Sequence, residues 1–432
     1  MRFQRTAIAA ALVAATLAPH PASGAGYGIY EQGAVALGMA GAATASVGDA
    51  TANYFNPAAL VRLDGRQFSL GGTWLSTRIS FAGIDPSPGF GVQESMKNGN
   101  FFPPTAYWAS HLGHSWAYGV GVNAPFGLGV EWNDPTTFTG RARVTKATLR
   151  DVNANFNLAW APVRTFSLAA GYDEMFAGVE LDNVSQIIDP RGGGALLDAA
   201  KVQLKSGYKP GGGFNLATLW TPKPDWKFAV TYRSQVDVKI TDGDATFTQI
   251  PSGDANVDAQ VAAGLPPKQN VSTTLHFPSI LSVGAAWNPT PDWTWEADFN
   301  QTQWKAFDAL DLAFSKTSSI NTNIVENYDN SFRVGLGAEH RLARYSYRFG
   351  YYFDQAAAPV QSVTPLLPDA NRHGATLGLG WKLGAKKAWA LDLYDLALFV
   401  ENRSTEGLER DHYDGVYKSF VNAAGLNIGY HW

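Results

Sequence analysis

Apolar side chains alternate one by one with polar or very small ones along stretch after stretch of this chain. Only extended strands with two unlike faces produce that period. Val152, Ala154, Phe156, Leu158 and Trp160 stand opposite Asn153, Asn155 and Asn157, and Phe228, Val230, Tyr232, Val236, Val238 and Ile240 oppose Thr231, Arg233, Gln235, Asp237 and Lys239. The design recurs where Trp293, Trp295, Ala297 and Phe299 oppose Glu296, Asp298 and Asn300, where Phe332, Val334, Leu336 and Ala338 oppose Arg333 and Glu339, and where Leu377, Leu379 and Trp381 oppose Gly378, Gly380 and Lys382. A face that gathers several strongly polar groups must meet water.

Alternation by itself suits a soluble β-sandwich as well as a barrel. The connectors separate the two. Strands are predicted near 67–80, 103–112, 115–124, 145–160, 165–181, 212–220, 226–241, 277–287, 292–304, 328–340, 345–353, 372–383, 388–401 and 418–432, fourteen in all. Short connectors fall at Gly113-His114, Ala161 to Arg164, Thr221 to Asp225, Asn288 to Pro291, Arg341 to Arg344 and Gly384 to Lys387, and long ones lie between them. One end of the sheet therefore carries turns and the other carries loops, as in an outer-membrane barrel with short periplasmic turns and longer outside loops. Many strands exceed the ~9 to 11 residues that cross a bilayer, so they project beyond the outer rim. An Arg or Lys on the lipid face costs about 2–4 kcal/mol at the midplane, which predicts that Arg233, Lys239, Arg333 and Lys382 face the lumen. The similar turns Thr221 to Trp226 and Asn288 to Trp293 each open a strand with Trp, a residue suited to the interfacial girdle.

Composition agrees. Charged residues make up 16% of the 432, against roughly 25% in soluble domains, while aromatics reach 13%. Mean hydropathy is only -0.14, and no run beyond the first 25 residues approaches the ~20 apolar residues of a membrane helix. The net charge of -4 gives no electrostatic case for a nucleic-acid partner. The absence of cysteine excludes disulfide scaffolds, thiol catalysis and cysteine-ligated zinc.

Arg2 and Arg5 precede an apolar run from Ala7 to Ala18, and Ala22-Ser23-Gly24 offers small residues for cleavage, so residues 1–24 read as a secretory signal peptide. Leu426, Ile428, Tyr430 and Trp432 alternate with Asn427, Gly429 and His431, a terminal strand ending on an aromatic residue, similar to the signal read by the barrel assembly machinery. Between these ends, residues 25–65 are rich in Gly and Ala and lack sustained alternation. They read as a partly helical plug, or hatch, inside a barrel spanning 66–432.

Within that plug, Gly38-Met39-Ala40-Gly41-Ala42-Ala43-Thr44-Ala45, then Asp49-Ala50 and Asn56-Pro57-Ala58-Ala59-Leu60, resemble the hatch of the FadL family of outer-membrane transport proteins. Tyr232-Arg233-Ser234, Phe277-Pro278, Trp304, and Phe353-Asp354 with Pro359-Val360 extend the similarity over the whole mature chain. The resemblance implies an all-β, 14-stranded antiparallel transmembrane barrel in the bacterial outer membrane, with both mature termini periplasmic and Ala25, Tyr27, Asn56, Pro57 and Ala58 at the hatch and gate. It implies passive uptake of hydrophobic molecules, long-chain fatty acids or aromatic hydrocarbons, with sideways release through an inward kink in the third strand. Here that strand runs into Asn123-Ala124-Pro125-Phe126-Gly127, where Pro125 cannot donate a ladder hydrogen bond and Gly127 permits a bend.

One departure bears on the substrate. Where fatty-acid carriers of the family place basic lumen residues, this chain reads Gly178-Val179-Glu180-Leu181-Asp182 and Phe307-Asp308-Ala309-Leu310-Asp311. A carboxylate there meets like charge, which favours uncharged substrates unless Arg233, Arg333, Arg348 or Lys305 substitutes. Ile187-Ile188, Ala195-Leu196-Leu197 and Val261 to Leu265 are candidates for short amphipathic pieces lining an outside collecting groove.

No Gly-x-Ser-x-Gly, His-Glu-x-x-His or Walker motif occurs, and His111 with His114 lacks a third ligand, so no enzyme, metal or cofactor is implied. The expected partners are the substrate, outer-membrane lipid and lipopolysaccharide, with the protein a monomer. The competing readings are a general porin for small hydrophilic solutes, an outer-membrane lipase or protease, and an adhesive surface protein.

Overall fold

In a computed structural model, described over residues 26–384 and 388–432, fourteen antiparallel strands close on themselves into a barrel. They are β1 (Arg66–Gly83), β2 (Pro104–His111), β3 (Trp116–Asn123), β4 (Lys146–Val163), β5 (Phe166–Ile188), β6 (Lys209–Lys223), β7 (Trp226–Arg233), β8 (Ile280–Thr290), β9 (Trp293–Thr302), β10 (Ser331–Arg341), β11 (Tyr345–Asp354), β12 (Arg372–Leu383), β13 (Trp389–Val400) and β14 (Gly415–His431). Closure is made by β1 and β14, paired from Gln67 with His431 to Gly83 with Gly415. Closure removes the unpaired edge, a requirement in hydrocarbon where no water can satisfy a free backbone group. Residues 1–24, read above as a signal peptide, Ala25 and part of the β12–β13 turn lie outside the described residues.

The two faces of the wall separate as the alternation requires. Phe156, Leu336, Trp295 and Trp381 are exposed on the outside, whereas Asn155, Asn157, Glu296, Asp298, Arg333 and Arg348 are buried within. Stacked pairs near the short turns, Trp116 with Trp160 and Trp226 with Trp287, at ring separations of 5.6 and 6.1 Å, form part of an aromatic girdle.

The stretches read as single strands at 226–241 and 277–287 are each broken. β7 stops at Arg233 and resumes as Val236–Gln249, and a strand Gln269–Phe277 precedes β8. The breaks lie side by side, Arg233 opposite Ile280 and Val236 opposite Phe277, with Pro278 unable to donate to the ladder. Both invert the faces. Phe228, Val230 and Tyr232 look outward, but Val236, Val238 and Ile240, at the same sequence parity, are buried inside, and Val271 and Phe277 are likewise buried. Lys239 is therefore exposed on the outer surface above the break, which corrects its expected lumen placement. Further short strands build the long connectors: Gln93–Ser95 and Gly99–Phe101 pair with β1, and Leu196–Lys205 folds back along β5. Of the candidate amphipathic pieces, the third contributes Val261 to Gly264 to a helix, Ala255–Gly264, while Ile188 and Leu196 face each other across a hairpin.

Residues 26–65 fill the lumen with two short helices, Ala34–Gly38 and Ala52–Phe55, and a 3-10 helix, Pro57–Arg62. Their backbone is held by polar side chains on the inner face. Asp298 accepts from Ala43 N and Thr44 N, both at 3.0 Å, and from Thr44 Oγ1 at 2.6 Å. Glu296 accepts from Ala45 N and Ser46 N at 2.5 and 2.9 Å, and Asn155 and Asn157 donate to Asn53 O at 2.8 and 3.1 Å. Where the wall has glycine, the hatch comes closer. A Cβ on Gly337 would stand 2.4 Å from Met39 O, and one on Gly350 2.6 Å from Met39 C, so no side chain fits at either.

Asn56 ties three pieces together. Its Oδ1 accepts from Ala58 N at 2.9 Å, capping the 3-10 helix that Pro57 opens, while its Nδ2 donates to Thr44 O at 2.7 Å and to Thr218 O of β6 at 3.2 Å. Ala58 is fully buried, and its carbonyl accepts from Ser167 Oγ at 2.8 Å. Asn56→Ala strands these groups in a dry site at a cost of about 1–3 kcal/mol, and amide exchange over residues 43–60 should rise while the strands stay protected. By contrast Leu336→Arg, on the lipid face, should lower barrel stability in urea by about 2–4 kcal/mol without touching the hatch.

Candidate functional site

The third strand supplies the chief irregularity of the wall. β3 pairs with β2 only as far as Val122 opposite Ala106, and with β4 as far as Asn123 opposite Asn153. After Ala124-Pro125-Phe126 the chain resumes as Gly127–Glu131, paired with β4 from Gly127 opposite Arg150, while the segment leading into β2 bonds to β1 instead, Thr73 N donating to Pro103 O at 3.2 Å. Between Ala106 below and the Met96–Trp132 bridge above, the backbone ladder is thus interrupted.

The groups freed at this kink turn inward and bond to the hatch. The Gln32 amide donates to Ala124 O at 2.8 Å and accepts from Ala124 N at 3.2 Å. Pro125 O accepts from Ile29 N, and Gly127 N donates to Tyr27 O, both at 2.8 Å. Phe126 N donates to Asp151 Oδ1 at 3.2 Å. Residues 27–29 act as a substitute strand partner, and Gln32, fully buried, closes the set. Sequence reading named Asn123–Gly127 and Tyr27 but not Gln32, because one glutamine among small residues announces nothing until its neighbour across space is known.

Tyr27 sits in a ring of aromatics from three other parts of the chain: Trp304 at 4.7 Å, Phe307 at 5.4 Å, Phe126 at 5.9 Å and Phe277 at 6.1 Å. Its OH donates to His276 O at 3.0 Å. Gly26, with φ of 55°, has the Trp304 ring 2.5 Å from where a Cβ would stand, so only glycine fits there.

Two cavities meet at this ring and share Tyr27, Leu128, Thr148, Leu149 and Leu367. The first, about 120 Å³, is almost wholly apolar, lined by Leu181, Ile240, Val271, Leu275, Phe277 and Leu310 among others, with Glu180, Lys205 and Glu326 at its border. The second, about 530 Å³, runs past the kink and is lined both by lumen residues such as Glu31 and Arg372 and by Phe102, Pro103, Pro104 and Val152 on the outer side. The inversion of faces at the β7 and β8 breaks is what turns Ile240, Val271 and Phe277 into the first cavity. Deep apolar pockets with few polar groups are the usual form of a small-molecule site.

The four proposed lumen cations lie elsewhere. Arg233 pairs with Asp173 and lies 4.9 Å from the Tyr54 ring. Arg333 donates to Ala40 O at 2.6 Å and stacks over Tyr352 and Tyr30 at 3.8 and 4.5 Å. Arg348 is held between Glu339 and Asp392 at 2.9 and 2.7 Å. Lys305 is exposed, 3.9 Å from Asp329. All three arginines pack against the hatch or the lumen floor, and none of the four lines the apolar cavity. Glu180 does border it, neutralised by Lys146 at 2.8 Å and Lys205 at 4.0 Å, two lysines the sequence reading had not singled out. Asp311 bonds to Asn323 on an outer hairpin, while its neighbours Leu310 and Leu312 line the cavity. His111 turns to Leu63 O at 2.6 Å.

Comparison with known proteins agrees with this architecture. The curated relatives include the long-chain fatty acid transport protein of Escherichia coli K12, 23% identical over 87% of this chain and 88% of that one. Outer membrane protein P1 of Haemophilus influenzae is 26% identical over 88% and 87%. Among solved structures, a Pseudomonas aeruginosa FadL homologue superposes with a TM-score of 0.82 at 18% identity, covering 94% of this chain and all of that one. The Pseudomonas putida toluene transporter TodX gives 0.73 at 16%, covering 94% and 99%. The model of the outer membrane protein transport family, OMPP1/FadL/TodX, matches residues 14–422, and this chain belongs to that family of outer-membrane transporters.

Proposed function

We propose that the protein carries hydrophobic compounds, long-chain fatty acids or aromatic hydrocarbons, passively across the outer membrane and releases them sideways through the interruption at the third strand. The observation that supports this reading is the second cavity, which touches the apolar lumen pocket at one end and the outer side of the wall at the other. The names of the relatives, fatty acid transport in one case and toluene transport in another, set the two substrate classes.

The physical argument is one of phase. A greasy molecule gains about 0.8 kcal/mol for each CH2 kept out of water, so an axial route into the periplasm discards what the lumen pocket provides. The hatch fills that axial route, and a lateral route keeps the molecule in apolar surroundings throughout. In this reading residues 1–24 are removed on export, residues 25–65 form the hatch of a barrel spanning 66–432, and the strand ending at Trp432 engages the assembly machinery. The protein then works as a monomer among lipid and lipopolysaccharide. A fatty acid in the pocket meets Lys205 on the lining, already facing Glu180.

Replacing Pro125 and Gly127 together by valine tests the exit. Valine restores a ladder donor at 125, and at 127 its Cβ would stand 2.6 Å from Ile29 Cδ1, so the Ile29 side chain has to turn aside from the kink. Uptake of a radiolabelled long-chain fatty acid and of a neutral aromatic hydrocarbon should fall to the level of cells lacking the protein, with heat-modifiable gel mobility of the barrel retained. Unchanged uptake by a folded variant would remove the lateral route.

A further inference from the structure

Glu326 is 5% exposed and borders the apolar cavity, yet its carboxyl group has no hydrogen-bond partner among the described residues. Its bonds are made by the backbone: its N donates to Asp308 O at 2.7 Å, and its O accepts from Ser362 Oγ. Arg410, the nearby cation, directs its guanidinium to Val325 O and Ser362 Oγ. The other titratable groups facing Glu326 are Glu409, Tyr27 and Tyr328. Two more buried donors stand in the same aromatic cluster without a partner, Tyr328 Oη and Trp304 Nε1. The Tyr328 ring lies 5.1 Å from Phe307 and 6.5 Å from Trp304.

A polar side chain left unpaired in a dry pocket is costly unless something supplies its partner. We propose that Glu326 is a specificity-determining residue of the apolar cavity, its carboxyl group hydrogen-bonding an oxygen of an uncharged ligand, so that ketones, esters or alcohols are preferred over bare hydrocarbons of the same shape. Burial pushes the Glu326 carboxyl up to about 8, so at neutral pH it carries a proton to donate and repels no ligand dipole. A protonated carboxyl can donate to a carbonyl and accept from a hydroxyl, which fits all three ligand types. The inference rests on the cavity being the ligand site of the function proposed above.

The test compares initial uptake of acetophenone and ethylbenzene, nearly equal in shape, in cells producing the full-length protein, its Glu326→Leu variant or its Glu326→Gln variant. Glu326→Leu should lower protein-dependent uptake of the ketone about 3- to 10-fold and leave the hydrocarbon unchanged or faster, while Glu326→Gln, which keeps a donor of the same shape, should retain most ketone uptake. Equal loss of both compounds, or of neither, in a variant with normal heat-modifiable mobility would overturn the assignment. Ethylbenzene uptake by the unaltered protein reads the transport function separately: if neither compound enters, that reading fails and this one with it.

Discussion

Inside a membrane every backbone N–H and C=O needs a partner within the protein, and that requirement governs how this barrel can be opened at all. A gap in the wall normally leaves a row of unpaired groups facing hydrocarbon. Here Ala124, Pro125 and Gly127 turn inward and bond to Gln32, Ile29 and Tyr27, so the hatch completes the wall that it plugs. The kink and the hatch are consequently joined: the bent third strand and the first residues of the plug supply each other's missing backbone partners at Ala124, Pro125 and Gly127.

The remaining hatch contacts extend the same logic deeper into the lumen. Glu296 and Asp298 gather four consecutive backbone amides, those of Ala43 to Ser46, and Asn56 links the hatch to β6. Such hydrogen bonds are strong in low-dielectric surroundings. They also explain why the inner face of a wall whose neighbours are mostly hatch atoms, rather than water, is nonetheless so polar. Small residues do the complementary work, Gly337 and Gly350 letting the Met39 backbone lie against the strands. On the outer side, the apolar cavity and the cavity that runs past the third-strand interruption share Tyr27 as lining.

Much of this was legible in advance because a barrel writes its rules locally. Alternation with polar groups on one face, short turns against long loops, and a Gly/Ala-rich segment ahead of the first strand each follow from one element and its solvent. The arginines show where that ends. Arg233, Arg333 and Arg348 were expected inside the lumen and are inside, but whether an inward arginine meets substrate or hatch depends on what fills the space before it. Lys239 was placed on the wrong face, since a break at Ser234-Gln235 inverts the strand while the sequence keeps alternating as before.

By itself, then, the amino-acid sequence determined the class of the protein, the number and direction of its strands, the proline that ends the third strand's ladder and the Gly/Ala-rich segment ahead of the barrel. Those features come from period, turn chemistry and proline, which act over a few residues. Only the tertiary structure decided that Tyr27, Phe126, Phe277 and Trp304 share one cluster, that Ile240 and Val271 line a cavity, and that Gln32 closes the kink. These contacts join residues up to hundreds of positions apart, and the face a strand presents after a break depends on the pairing of its neighbours, which no local pattern records.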